Sequence, residues 1–165
     1  MRFWKMNGAG NDFIIINNMV EHLPETCFPT LARTLCERHL SIGADGLMIV
    51  DAPLQGGDYR MLFFNSDGSL GEMCGNGARC FALFAEHLGI GGETKYFDAT
   101  DGMHTARICR AKNRTGEIEL GMINVSEIRS GKGWWFLNTG VPHYVEFTEE
   151  LDGVDVKGLG RMIRH

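Results

Sequence analysis

No apolar run in the chain approaches the length of about 18 residues needed to cross a bilayer as a helix, which excludes a helical membrane protein. The amino terminus, Met1-Arg2-Phe3-Trp4-Lys5, lacks the architecture of a signal peptide, so the cytoplasm is the expected compartment. There is no basic stripe, and a formal net charge of −5 over 165 residues argues against non-specific nucleic-acid binding. Neither nucleic acid nor membrane is therefore expected as a partner. The chain also lacks any Cys-x-x-Cys pair. Its cysteines, Cys27, Cys36, Cys74, Cys80 and Cys109, form an odd set, which disfavours both a disulfide framework and a zinc ribbon and predicts reduced thiols. The histidines show no ligand spacing with these cysteines, so no metal site is expected.

What the chain has in excess is glycine. Its 22 glycines are nearly twice the usual share, and they punctuate short runs rich in β-formers. Strands are predicted at Phe3 to Lys5, Phe13 to Asn17, Leu47 to Val50, Tyr59 to Phe64, His104 to Cys109, Gly116 to Leu120, Trp134 to Leu137 and His143 to Phe147. Two helices interrupt them. One is predicted from Pro29 to His39, with Phe28, Leu31, Ala32 and Leu35 at helical spacing. The other runs from Asn76 to Leu88 and is apolar nearly all round, which marks a buried helix. The simplest architecture is α+β: a curved, mostly antiparallel sheet wrapped around that buried central helix.

A composition shift over Gly121 to Gly133 reads as a domain boundary or simply as a long hairpin; as a boundary it gives a first domain over residues 1–121 and the beginning of a second, similar one over 122–165. The closing segment Gly160-Arg161-Met162-Ile163-Arg164-His165 starts to look helical without a terminating signal, as a second domain only partly present would.

The segment Glu72-Met73-Cys74-Gly75-Asn76-Gly77-Ala78-Arg79-Cys80 places a thiol where small residues open into the apolar helix. The free N–H groups of a helix's first turn attract an anion, and the same partial positive charge stabilises a thiolate. A carboxylate-bearing small molecule beside a basic thiolate is the hypothesis. Cysteine is also a common buried residue, and position alone leaves Cys74 open between catalysis and structure. Cys80, inside the helix, reads as structural. Asn65, at the end of a strand, is placed to hydrogen-bond a polar ligand, whereas Asp67-Gly68 reads as an ordinary turn. Asn7-Gly8-Ala9-Gly10-Asn11-Asp12 reads as a glycine-rich loop in the wrong order for a dinucleotide fingerprint. Ser41 to Gly46 reads as a connecting loop without chemistry, and His143, beside Pro142, as a turn residue more readily than a general base.

Taken together, five segments resemble diaminopimelate epimerase, a pyridoxal-phosphate-independent amino-acid epimerase. They are Lys5 to Phe13, Ile42 to Leu47, Phe64 to Ser69, Glu72 to Gly77 with Arg79-Cys80-Phe81, and Asn138 to His143. The resemblance implies two similar domains facing a cleft, each a curved sheet around a central helix. It implies that no cofactor is used and that the substrate is a small molecule, an amino acid. Cys74 would be one of two acid/base cysteines, Gly75 and Asn76 would bind the α-carboxylate, Asn11 and Asn65 would hold other polar groups, and His143 would be the pKa-modulating residue. The implied activity is interconversion of LL- and meso-diaminopimelate for lysine and peptidoglycan precursors. The second cysteine and a Glu-Arg substrate pair belong to a C-terminal half absent from these residues, so the chain alone is expected to be inactive. A homodimer is left open. Val141 stands where many members carry a substrate-contacting asparagine. A racemase of another amino acid such as histidine, or a non-catalytic ligand-binding remnant, is the alternative.

Overall fold

Phe13 to Ile16 and Leu47 to Val50 become strands buried on both faces, and they set the architecture of the computed structural model, which describes residues 1–164. Strands β1 (Trp4–Gly8), β2 (Asn11–Asn17), β3 (Gly46–Asp51), β4 (Tyr59–Asn65), β5 (Thr94–Ala99), β6 (Gly102–Lys112) and β7 (Thr115–Gly121) lie in one sheet in chain order. The β2–β3 and β4–β5 joins are parallel and the others antiparallel. A parallel join needs a crossover, and helices supply it. The short α1 (Asn18–Glu21) and α2 (Phe28–Cys36) bridge β2 to β3, and α3 (Gly75–His87) bridges β4 to β5.

Alternation along the central strands divides the core in two. Phe13, Ile15, Met48, Val50, Tyr59 and Met61 pack with Ala78, Phe81, Ala82, Phe84 and Ala85 of α3. Their neighbours Ile14, Ile16, Leu47, Ile49, Leu62 and Phe64 pack with Phe28, Ala32 and Cys36 of α2 on the other face. Burying each large side chain of α3 contributes roughly 1.5–3 kcal/mol. Both outer strands, β1 and β7, touch α3. A flat sheet of that many strands would be ~29 Å wide, far wider than a helix, so the sheet must curl around α3. This is the α+β arrangement expected, a curved sheet around a buried helix.

Some elements differ from expectation. The segment Asn7 to Asp12 is not a loop: β1 and β2 pair to their ends, Gly8 opposite Asn11, leaving Ala9 and Gly10 as a two-residue hairpin turn with φ of 50° and 100°. Helix α2 stops at Cys36 instead of His39, whose φ of 72° cannot continue a helix. Strands β5 and β8 (Ile128–Gly131) were not predicted, because the polar residues of Thr94–Ala99 and Ile128–Gly131 hide their strand pattern. In β5, Lys95 is fully buried, its Nζ donating to Glu86 Oε2 at 2.6 Å and to the Gly92 carbonyl at 2.8 Å.

The chain divides into two compact units, one of Met1–Asn124 with Thr139–Val141, the other of Val125–Asn138 with the residues from Pro142 onward. The second unit holds a three-stranded antiparallel sheet, ordered β10 (Pro142–Glu146), β9 (Trp134–Asn138), β8, followed by α4 (Val156–Arg164). No described residue of this unit is buried. A groove of about 950 Å³ in it is lined by Phe136, Tyr144, Phe147, Leu151, Leu159 and Ile163 among others. No described helix in either unit is long and apolar enough to cross a membrane.

Candidate active site

Cys74 is the N-cap of α3. Its backbone is extended (φ −114°, ψ 105°), its carbonyl accepts the Ala78 N–H at 2.8 Å, and its Sγ accepts the Gly77 N–H at 3.4 Å. The small residues around it have a steric reason. A Cβ on Gly77 would lie 2.4 Å from Met48 Cε, so glycine lets the first turn settle on β3. The N–H groups of Gly75 and Asn76 have no intrahelical acceptor and form the positive end of the helix dipole.

The thiols are not equivalent. Cys74 is half-buried, whereas Cys80 is buried in the core and burial pushes its thiol up to about 11. Burial does the same to Cys36, also to about 11. Cys27 heads a helix too, α2, but no N–H of that helix reaches its sulfur.

From Asn76 a line of polar contacts leads away from the thiol. Arg79 Nη2 donates to Asn76 Oδ1, and Asn76 Nδ2 donates to Asn11 Oδ1 at 2.8 Å. Asn11 Nδ2 donates in turn to Asp45 Oδ2 at 3.0 Å. Asp45 also accepts the Asp12 N–H at 3.1 Å and Arg38 Nη2 at 2.9 Å. Arg38 grips Asp12 through both terminal nitrogens, at 2.5 and 3.2 Å, and Lys5 Nζ lies 2.9 Å from the same carboxylate. The Arg38 guanidinium and Lys5 hold Asp12 well below the usual carboxylate range. The Asn11 amide, then Arg38, lowers Asp45. The parallel register that sets Phe13 opposite Gly46 brings Asn11, Asp12 and Asp45 together.

The structure thus gathers Cys74, Gly75, Asn76 and Asn11 at one end of the curled sheet. Asn65 ends β4 opposite Gly46, and its Nδ2 donates to Ser69 Oγ at 2.9 Å within its own turn. His143 lies on β10, in the other unit. Reasoning from sequence missed Asp45, Arg38, Asp12 and Arg79. It also missed His104, buried with Nε2 2.8 Å from Asp101 Oδ1 and Nδ1 3.0 Å from the Gly121 carbonyl. A groove of about 760 Å³ between β1 and β7 is lined by Lys5, Arg79, Cys80, Leu83 and Arg114 among others, but not by Cys74.

A family model for diaminopimelate epimerase matches residues 3–125. The chain belongs to the diaminopimelate epimerase family. It is 42% identical over 165 residues to the diaminopimelate epimerase of Flavobacterium psychrophilum, covering all of this chain and 62% of that one. It is 37% identical over 177 residues to that of Aquifex aeolicus, covering 99% of this chain and 63% of that one. The chain therefore spans less than two thirds of the length of these relatives. Among solved structures it superposes on a Bacillus anthracis phenazine biosynthesis protein of the PhzF family with a TM-score of 0.67 at 14% identity, covering 88% of this chain and 56% of that one, a likeness of fold alone. In this member of the diaminopimelate epimerase family, the matched region contains the thiol-headed helix and the whole relay from Arg79 to Lys5.

Proposed function

We propose that this chain carries one half of a cofactor-independent diaminopimelate epimerase site, with Cys74 as one of two acid/base thiols. The observation that carries the reading is the placement of Cys74 Sγ on the first-turn N–H of Gly77, beside the unengaged N–H groups of Gly75 and Asn76. Such a corner suits an α-carboxylate held next to a base. The Cys74 thiolate would take the α-proton, and the electron pair left on the α-carbon would delocalise into the carboxylate, where oriented N–H donors stabilise the developing charge. Inversion then requires a second acid on the opposite face of the same carbon. One fixed thiol cannot serve both faces.

The second acid is assigned to the length of the relatives that this chain does not span, and residues 122–165 to the start of the domain that carries it. The unburied second unit, with its open apolar groove, supports this reading. Asn11 and Asn65 are assigned to the substrate's polar groups and His143 to tuning of the cysteine. The expected substrate is LL- or meso-diaminopimelate.

The test is exchange of the α-proton into heavy water by a version carrying the family's full length. The parent exchanges and epimerises, and Cys74→Ala does not epimerise while keeping the fold. Wild-type epimerisation by Cys74→Ala would overturn the assignment, and turnover by these 165 residues at the full-length rate would overturn the two-thiol argument. Val141 favours a second reading, racemisation of another amino acid such as histidine, because valine offers no hydrogen bond; assays across amino acids separate the two.

A further inference from the structure

The two asparagines of the relay sit between two fixed charges, and the order of donors and acceptors along the line is dictated at both ends. A carboxylate can only accept, so Asp45 requires Asn11 to turn its NH₂ toward it, which leaves the Asn11 oxygen to accept from Asn76. A guanidinium can only donate, so Arg79 requires Asn76 to turn its oxygen toward it, which leaves the Asn76 NH₂ for Asn11. Each end demands the same direction. Rotating both amides would set the Asn11 oxygen against the Asp45 carboxylate and the Asn76 NH₂ against the Arg79 guanidinium. Asp45 itself is held by Arg38 and the Asp12 N–H.

We propose that Asp45 and Arg79 are positioning residues that set the polarity of the ligand cradle, so that it receives a carboxylate and rejects an ammonium group. In the observed order both amide oxygens are engaged, while each NH₂ has spent one hydrogen within the relay and keeps another. Beside the first-turn N–H groups of α3, the free capacity of the cradle is that of a donor. In the reversed order the Asn76 oxygen would take the place its NH₂ now holds, and its spare lone pair would repel an anion in the cradle. The inference rests on the reading of this corner as a carboxylate site.

The probe is iodoacetate against iodoacetamide, two reagents that differ in carrying a carboxylate or a neutral amide. In both the Cys74 sulfur forms a bond to the methylene carbon as iodide leaves. Alkylation of Cys74 is followed by mass spectrometry in the folded chain and in urea, and the ratio of the two rates is compared. In the wild type folding should raise the iodoacetate-to-iodoacetamide ratio about tenfold, the worth of one hydrogen bond to a charged group. The double variant Asp45→Asn with Arg79→Gln, which frees both ends of the relay, should lose about that factor while its iodoacetamide rate stays within about twofold of wild type. Net charge alone predicts no loss, because one charge of each sign is removed. Asp45→Asn alone, which can offer oxygen at only one of the two places Asp45 now fills, leaves Arg79 to set the direction and should lose less than the double. If the double variant does not fold, Asp45→Asn decides, because removing a negative charge would by itself raise the preference for an anionic reagent, whereas the relay lowers it. A wild type with no folding-dependent preference would refute the carboxylate site itself and the inference with it. A wild-type preference that survives undiminished in the double variant, or rises in Asp45→Asn, would overturn the inference alone.

Discussion

Substituting Gly8 by alanine tests the link between fold and site most sharply. Gly8 ends β1 where the strand crosses the first turn of α3. A Cβ there would lie 2.6 Å from the Asn76 carbonyl oxygen and 2.9 Å from Cys80 Sγ, well inside the 3.4 Å at which ordinary contact begins. The oxygen belongs to a helical peptide and cannot swing aside alone, and the sulfur blocks the other direction. Either β1 lifts from the helix or the first turn shifts, and overpacking of this kind costs about 1–3 kcal/mol. Gly75→Ala is the control. Its Cβ would meet only Leu120 Cδ2, at 3.7 Å, and alanine at a backbone position it can adopt gains about 0.4–1 kcal/mol over glycine by restricting the unfolded chain. Urea denaturation followed by circular dichroism should rank Gly75→Ala at or above wild type and Gly8→Ala clearly below. Because Asn76 is the residue displaced, Gly8→Ala should also weaken the iodoacetate preference at Cys74. A Gly8→Ala protein as stable as wild type, with that preference intact, would refute the claimed close seating of β1 on the first turn.

Tyr59 stacks on Phe97 at 5.4 Å and is fully buried, with no hydrogen-bond partner for its hydroxyl. Tyr59→Phe should therefore be neutral or stabilising, by up to about 1–3 kcal/mol in the unfolding free energy from urea denaturation, and a loss of that size would show the hydroxyl to be satisfied. Lys95→Met should cost less than Glu86→Ala, because the first removes a buried ammonium and the second strands it beside the Gly92 carbonyl, at a cost of about 1.5 kcal/mol; the reverse order in denaturation would count against the pairing. Asp12 and Asp45 both have lowered values in the folded chain. Their contribution is present above the ordinary carboxylate value of about 3.9 and is lost as pH falls through the folded values below it. The urea midpoint should drop below about pH 4 in the wild type and less steeply in Asp12→Asn, and identical slopes would contradict the ion cluster.

The curved sheet and its buried helix were legible in the sequence because periodicity is a local signal. Phe13 to Ile16 and Leu47 to Val50 read as strands from β-forming residues between turn signals, their burial on both faces coming only with the structure, and a helix as apolar as α3 must be enclosed. Cys74, Gly75 and Asn76 were legible for the same reason, as a thiol and small residues at a helix start. The relay was not. Asp45 lies 34 residues from Asn11, and their contact depends on the parallel register of β2 and β3, which no local pattern encodes. Strand β5 was missed because Lys95 and Asp98 interrupt its apolar residues, yet both are buried, with Lys95 neutralised by Glu86 and Asp98 accepting the N–H groups of Leu54 and Gln55.

The account stands or falls on whether an amino-acid carboxylate sits beside Cys74. The direct measurement is site-resolved alkylation of the chain by iodoacetamide with increasing LL-diaminopimelate, Cys109, exposed on β6, serving as internal reference. Alkylation of Cys74 should slow in a saturable way while that of Cys109 does not change. Equal rates at Cys74 with and without diaminopimelate would contradict the site.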